Sequence, residues 1–115
     1  MDVSNFKSLN FTVLGQESQL EGDFKFRGDI LLASELKGSL TMLDDGKVIL
    51  ERTSNFNGNI FCKDIEIFGN FQGTINSSGT LSIRSSASVS GKINAKSLSI
   101  YPGATLNIEG HTLDL

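Results

Sequence analysis

From residue 47 onward, apolar side chains recur in short every-other-residue alternations broken by Gly, Ser and Asn. Alternation by two marks a strand with one buried face. Four apolar series repeat at spacings of 15 to 18 residues. The first is Ile65, Leu81 and Leu98, and the second Leu50, Ile67, Ile83 and Ile100. The third is Phe56, Phe71, Val89 and Leu106. The fourth is Ile60, Ile75 and Ile93, each preceded two residues earlier by a glycine, at Gly58, Gly73 and Gly91. Two residues after these isoleucines stand the small residues Cys62, Ser77 and Ala95. Fainter copies precede them: Leu20-Glu-Gly22-Asp-Phe24, Phe26-Arg-Gly28-Asp-Ile30 and Leu36-Lys-Gly38-Ser-Leu40.

At ~3.3 Å per residue, such a repeat has a perimeter of roughly 50–60 Å. That is too short for a βαβ unit of ~30 residues and suits one coil of a solenoid. Stacked coils place equivalent side chains above one another at ~4.8 Å, so like residues form internal ladders. The glycine column then marks a corner where the backbone bends inward. Ten charged residues lie between 47 and 110: Lys47, Glu51, Arg52, Lys63, Asp64, Glu66, Arg84, Lys92, Lys96 and Glu109. None occupies a ladder position, where an unpaired charge would cost several kcal/mol. The pattern predicts a single all-β domain, a parallel β-helix of about five to six coils. Its expected span is 11–110, between an N-terminal tail, 1–10, and a short C-terminal tail, 111–115.

An antiparallel sandwich or barrel is the competing architecture. Its support is a hairpin signal around Asp44-Asp45-Gly46, between Leu40-Thr-Met-Leu43 and Lys47-Val-Ile-Leu50. The strict repeat favours the solenoid and makes this stretch an irregular corner or insertion.

Composition narrows the function classes. The 115 residues are 38% hydrophobic with a single Pro, too apolar for a disordered chain and long enough for one core. No apolar run approaches the ~18 residues of a membrane helix, and Met1–Asn10 does not resemble a signal peptide. With one cysteine and no internal disulfide, the expected setting is the cytoplasm, including the inner face of its membrane. The net charge of −3 argues against a nucleic-acid partner, which needs a clustered positive surface. Residues 1–46 carry a net −4 and 47–115 a net +1, a modest dipole.

Candidate chemistry is sparse. His111 is the one histidine, with no ligand-spaced partner, whereas the enzymes built on short β-helices need histidine as base or zinc ligand. Asp44-Asp45-Gly46 lacks the later oxygen ligands of a calcium loop and reads as a turn. Cys62, on a ladder, reads as a buried inert thiol. No glycine loop with Lys and Ser/Thr is present to cradle phosphate. No catalytic, cofactor-binding or metal-binding residue is expected.

Gly58-Asn-Ile-Phe-Cys-Lys-Asp-Ile-Glu-Ile-Phe-Gly-Asn-Phe-Gln-Gly-Thr-Ile75 resembles the central signature of the bactofilins. Ala87-Ser-Val-Ser-Gly-Lys-Ile93 and Leu98-Ser-Ile-Tyr-Pro-Gly-Ala104 resemble that family's closing repeats. The resemblance spans roughly residues 20–110. It implies a right-handed, triangular β-helix of a bacterial cytoskeletal protein. It further implies nucleotide-independent polymerisation through the helix ends into non-polar filaments that scaffold cell-shape and cell-wall machinery. Partners would then be further copies of the chain and morphogenesis or cell-wall proteins. Met1-Asp-Val-Ser-Asn-Phe6 matches poorly the membrane-targeting stretch of many relatives, which argues against direct membrane binding. The alternatives are a left-handed hexapeptide-type enzyme, an acyltransferase or carbonic anhydrase, and a non-polymerising interaction module.

A solenoid leaves unpaired backbone and an open core at each end. The expected assembly surface is therefore Leu20, Phe24, Phe26 and Ile30 at one end, and Leu98, Ile100, Leu106 and Ile108 at the other. Ser97–Ile108 holds no charge, and Ile108 occupies a glycine slot. The charge dipole favours head-to-tail contact, whereas the resemblance implies like ends meeting. Phe61 and Phe68 fall between ladder positions and should point outward. Phe68, Arg84 and Tyr101 are expected to stack as an outer cation–π column. Phe61, Phe68, Arg84 and Tyr101 are either a lateral or partner surface or are covered by the N-terminal tail through Phe6, Leu9 or Phe11.

Overall fold

Strand follows strand, because the segments whose side chains are described alternate inward apolar residues with outward ones that are mostly polar. The structure, a computed structural model, describes residues 11–14 and 19–112, with side chains described from 19 to 107. The elements are β1 (Phe11–Leu14), β2 (Gln19–Phe26), β3 (Asp29–Leu32), β4 (Glu35–Met42) and β5 (Lys47–Leu50). They continue as β6 (Asn55–Cys62), β7 (Asp64–Ile67), β8 (Asn70–Ile83), β9 (Ser88–Ile100) and β10 (Thr105–Thr112).

All pairings are parallel, which rules out the antiparallel sandwich. One stack runs β2, β4, β6, the first part of β8, the first part of β9, then β10. The other runs β1, β3, β5, β7, then the last parts of β8 and β9. The chain alternates between the stacks, so the result is a β-solenoid of about five turns.

The register reproduces every predicted ladder. Leu20, Leu36, Phe56, Phe71, Val89 and Leu106 form one, and Phe24, Leu40, Ile60, Ile75 and Ile93 another. Val48, Ile65, Leu81 and Leu98 align, as do Leu50, Ile67, Ile83 and Ile100. Inside the third ladder the Phe56 and Phe71 rings stack at 5.3 Å, 17° from parallel. Phe56, Ile60, Ile75, Leu81 and Ile83 are fully buried. Each is worth about 1.5–3 kcal/mol of apolar transfer.

Spacing along the third ladder varies (Leu20, Leu36, Phe56, Phe71, Val89, Leu106), and the corners absorb the variation. The longest coil carries two enlarged corners, Leu43–Gly46 and Glu51–Ser54, where the next coil has only Lys63 and Phe68-Gly69. The first is the expected irregular stretch. Asp44 braces it: its carboxylate accepts the Gly28 amide at 2.9 Å and the Gly46 amide at 2.9 Å. These two hydrogen bonds hold its pKa below the usual carboxylate range.

One faint repeat is corrected. Phe26-Arg-Gly28-Asp-Ile30 is not a copy of the glycine motif, since Phe26 pairs with Met42 and Gly28 lies in the corner beneath Gly46. An aromatic–x–Gly–x–apolar string that straddles a corner mimics the motif in sequence only. The true column is Gly22, Gly38, Gly58, Gly73 and Gly91, with Ile108 in the last slot.

The column sets how closely coils approach. Gly73 has φ of +136°, and a Cβ there would overlap the Gly58 carbonyl of the coil beneath. Gly22 has nearly the same φ, +135°, but a Cβ there would meet nothing within 4 Å among the described residues. Gly73→Ala should therefore combine conformational strain with a backbone collision and cost more than about 3 kcal/mol. Gly22→Ala carries the strain alone, about 1–2 kcal/mol. Urea denaturation of the two variants checks the ordering.

Candidate functional site

At the two ends, the ladders that are sealed elsewhere stand open. Among the described residues nothing pairs with the outer edges of β1 and β2, or beyond β10 and the Ser97–Ile100 stretch of β9. Leu81 and Ile83 are 0% exposed, whereas Ile100, the next rung above Ile83, is 47% exposed. Val89 is buried, and Leu106 above it is half-buried. Leu98, Ala104 and Leu106 all pack on the core from this end. The Ile108 side chain lies outside the described residues, though its backbone pairs with Gly91.

At the N-terminal end Leu20, Phe24 and Phe26 are half-buried against the core, with the two rings stacked at 6.3 Å. Ile30 does not join them. It is fully buried, because β1 forms a further rung in which Thr12 pairs with Ile30 and Leu14 with Leu32. A threonine at a ladder position hid this rung in the sequence. The open apolar patch at this end is therefore Leu20, Phe24 and Phe26.

The sides present two features. Corner positions after the second ladder bring Phe68, Arg84 and Tyr101 into one column, as expected. The Arg84 guanidinium lies 5.4 Å from the centre of the Phe68 ring and 4.2 Å from that of Tyr101. Glu66 holds it from below, 3.6 Å from Arg84 and 2.8 Å from Lys47. Phe68 is half-buried by this stacking. Phe6 and Leu9 lie outside the described residues, as does the side chain of Phe11.

Phe61 stands apart on the outer side of β6, 45% exposed. It walls a shallow surface hollow of about 480 Å³ with Leu43, Asp45, Lys63 and Asn76. Leu43 is 46% exposed and was not expected here, because the enlarged corner has no repeat to define its direction. Beneath the hollow Cys62 is buried, and its thiol pKa is pushed up to about 12, first by desolvation and then by the nearby Asp64 carboxylate. Among the described residues no three His, Cys, Asp or Glu side chains gather to hold a metal ion.

The column and the thiol are directly testable. Arg84→Ala removes two ring contacts and an ion pair and should cost about 1–2 kcal/mol in urea denaturation. Phe61→Ser should stay within about 0.5 kcal/mol. Cys62 should resist alkylation at about pH 8 in the folded chain and react at once in denaturant. Its folded pKa lies above its unfolded value, so its contribution to stability is complete below about pH 9. That contribution is lost as pH rises toward about 12.

No curated protein and no solved structure matches the chain. A family profile described as bactofilin, polymer-forming cytoskeletal, matches residues 12–111, nearly all of the solenoid. With the parallel rungs and the glycine column, this places the chain in the bactofilin family of polymer-forming cytoskeletal proteins.

Proposed function

We propose that this bactofilin polymerises end to end, without nucleotide, into non-polar filaments that scaffold cell-shape or cell-wall machinery. The observation that carries the reading is the contrast between neighbouring rungs. Ile83 is sealed, and Ile100, one coil further, is 47% exposed, on a strand whose outer edge has no partner among the described residues. A second copy stacked there would supply the missing rung.

Magnitudes show what such a joint requires. Leu98, Ile100 and Leu106 from each copy, already partly covered, would gain on the order of 5–10 kcal/mol together. Association costs about 4–15 kcal/mol in lost freedom. Apolar contact alone roughly breaks even. The open edges of Ser97–Ile100 and Thr105–Thr112 must therefore pair as well, each backbone hydrogen bond adding about 0.5–1.5 kcal/mol. In a like-end joint these edges would meet antiparallel, whereas the coils within the subunit pair in parallel. The family is a structural one, and no enzymatic step enters the reading.

A charge in the terminal layer separates assembly from folding. In a stacked pair, Leu106→Lys buries an ammonium at a cost of several kcal/mol. In a single subunit the half-exposed chain bends to water. The variant should remain folded and form only short oligomers through the other end. Val89→Lys, on the same ladder one coil inside and 1% exposed, has no such escape and should unfold. Circular dichroism with sizing chromatography reads both outcomes. Long filaments from folded Leu106→Lys would remove the C-terminal coil from the interface.

A further inference from the structure

The two open ends carry different chemistry. At the N-terminal end, Glu21, Asp23, Lys25 and Arg27 ring the half-buried Leu20, Phe24 and Phe26, and all four charged residues are exposed. Asp23 accepts the Ser39 hydroxyl at 2.7 Å. Among the described residues Glu21, Lys25 and Arg27 make no ion pair. At the C-terminal end Ser97–Asn107 contains no charged residue, and the half-buried Leu98 and Leu106 and exposed Ile100 are bordered by Ser97, Ser99, Thr105 and Asn107.

The order of signs along β2 matters. Residues 21, 23, 25 and the adjoining 27 alternate with the inward set and share its outer side, reading acid, acid, base, base. A copy laid alongside in the same direction would set acid against acid. A copy related by a two-fold axis sets the basic half of one strand on the acidic half of the other. Strand β10 of a third copy offers the acidic half of this row no basic partner: Thr105 and Asn107 are neutral and Glu109 is itself acidic.

We propose that the N-terminal joint is ionic, formed by the β2 edges of two copies meeting about a two-fold axis, and that the C-terminal joint is apolar. Salt then cuts the filament at alternate joints. This rests on the end-to-end reading above and adds what distinguishes one joint from the other. Ions screen exposed charges over ~30 Å at 0.01 M but only ~3 Å at 1 M. Apolar burial is not screened, so the C-terminal joint, with no charge in Ser97–Asn107, keeps its strength, whereas the N-terminal joint keeps only the part due to Leu20, Phe24 and Phe26.

Sedimentation velocity of the whole chain at about 0.01 M and about 1 M NaCl tests this. The wild type should pass from long polymers to a discrete two-chain species that persists as salt rises further. Leu106→Lys, confirmed folded by circular dichroism, should be a two-chain species at low salt and a monomer at high salt. Exposed side chains permit a second variant with little risk to the fold: Lys25→Glu combined with Arg27→Glu makes the edge wholly acidic. It should form two-chain species at low salt and lengthen as salt is added, the reverse of the wild type. The proposal is overturned by wild-type polymers indifferent to salt, by gradual shortening to monomers without a two-chain plateau, or by a doubly reversed variant that behaves as the wild type. Wild-type monomers at every salt concentration would overturn the end-to-end reading itself.

Discussion

Every coil of this chain must hydrogen bond to the coil on each side along most of its length, and that requirement fixes the rest of the structure. Parallel pairing holds successive backbones ~4.8 Å apart, so any residue stands directly over its equivalents. A bulky inward side chain is tolerated only if its neighbours are shaped to receive it. Hence Phe56 lies on Phe71, and Ile60 on Ile75 on Ile93. At the bend the same spacing leaves no room for a Cβ, since each glycine carbonyl from Gly22 to Gly73 occupies the place where the next one's side chain would start. The column and the ladders are thus two results of one distance.

Because that distance acts between coils and not along the chain, contour length is free wherever pairing is interrupted. The corner filled by Lys63 alone in one coil takes Leu43–Gly46 in the coil before it. Asp44 replaces the missing regularity with its own hydrogen bonds to Gly28 and Gly46. The rungs flanking that corner keep register despite the four-residue excursion, with Lys47 opposite Asp64 and Met42 opposite Phe26.

Legibility follows from the same logic. Residues whose type is dictated by neighbours above and below repeat, and repetition can be read, so the ladders, the glycines and the outer column of Phe68, Arg84 and Tyr101 were all accessible from sequence. Residues with a neighbour on one side only are less constrained and were harder to read. Thr12 takes a ladder position at the first rung without being apolar, which concealed β1 and led Ile30 to be placed at an end it does not occupy. Leu43 points into solvent from a corner with no counterpart in other coils, so nothing in the period foretold its exposure. The openness of the C-terminal coil was legible for the opposite reason: Ser97–Asn107 still follows the interior pattern and carries no charge, although no rung lies above it among the described residues.

The way the coils are connected also governs how such a molecule bears load. Within one subunit, neighbouring coils are held by a run of backbone hydrogen bonds and, at one corner, by the covalent chain itself. Tension along the axis must break all of those bonds together and then still meets a peptide link. Between two subunits stacked as proposed, backbone hydrogen bonds would form without any peptide link. A polymer built this way is a series of strong elements joined by deliberate weak points, so overload parts it between subunits and leaves each one folded. The broken faces would then be the same rungs that met before, ready to rejoin when the strain is removed.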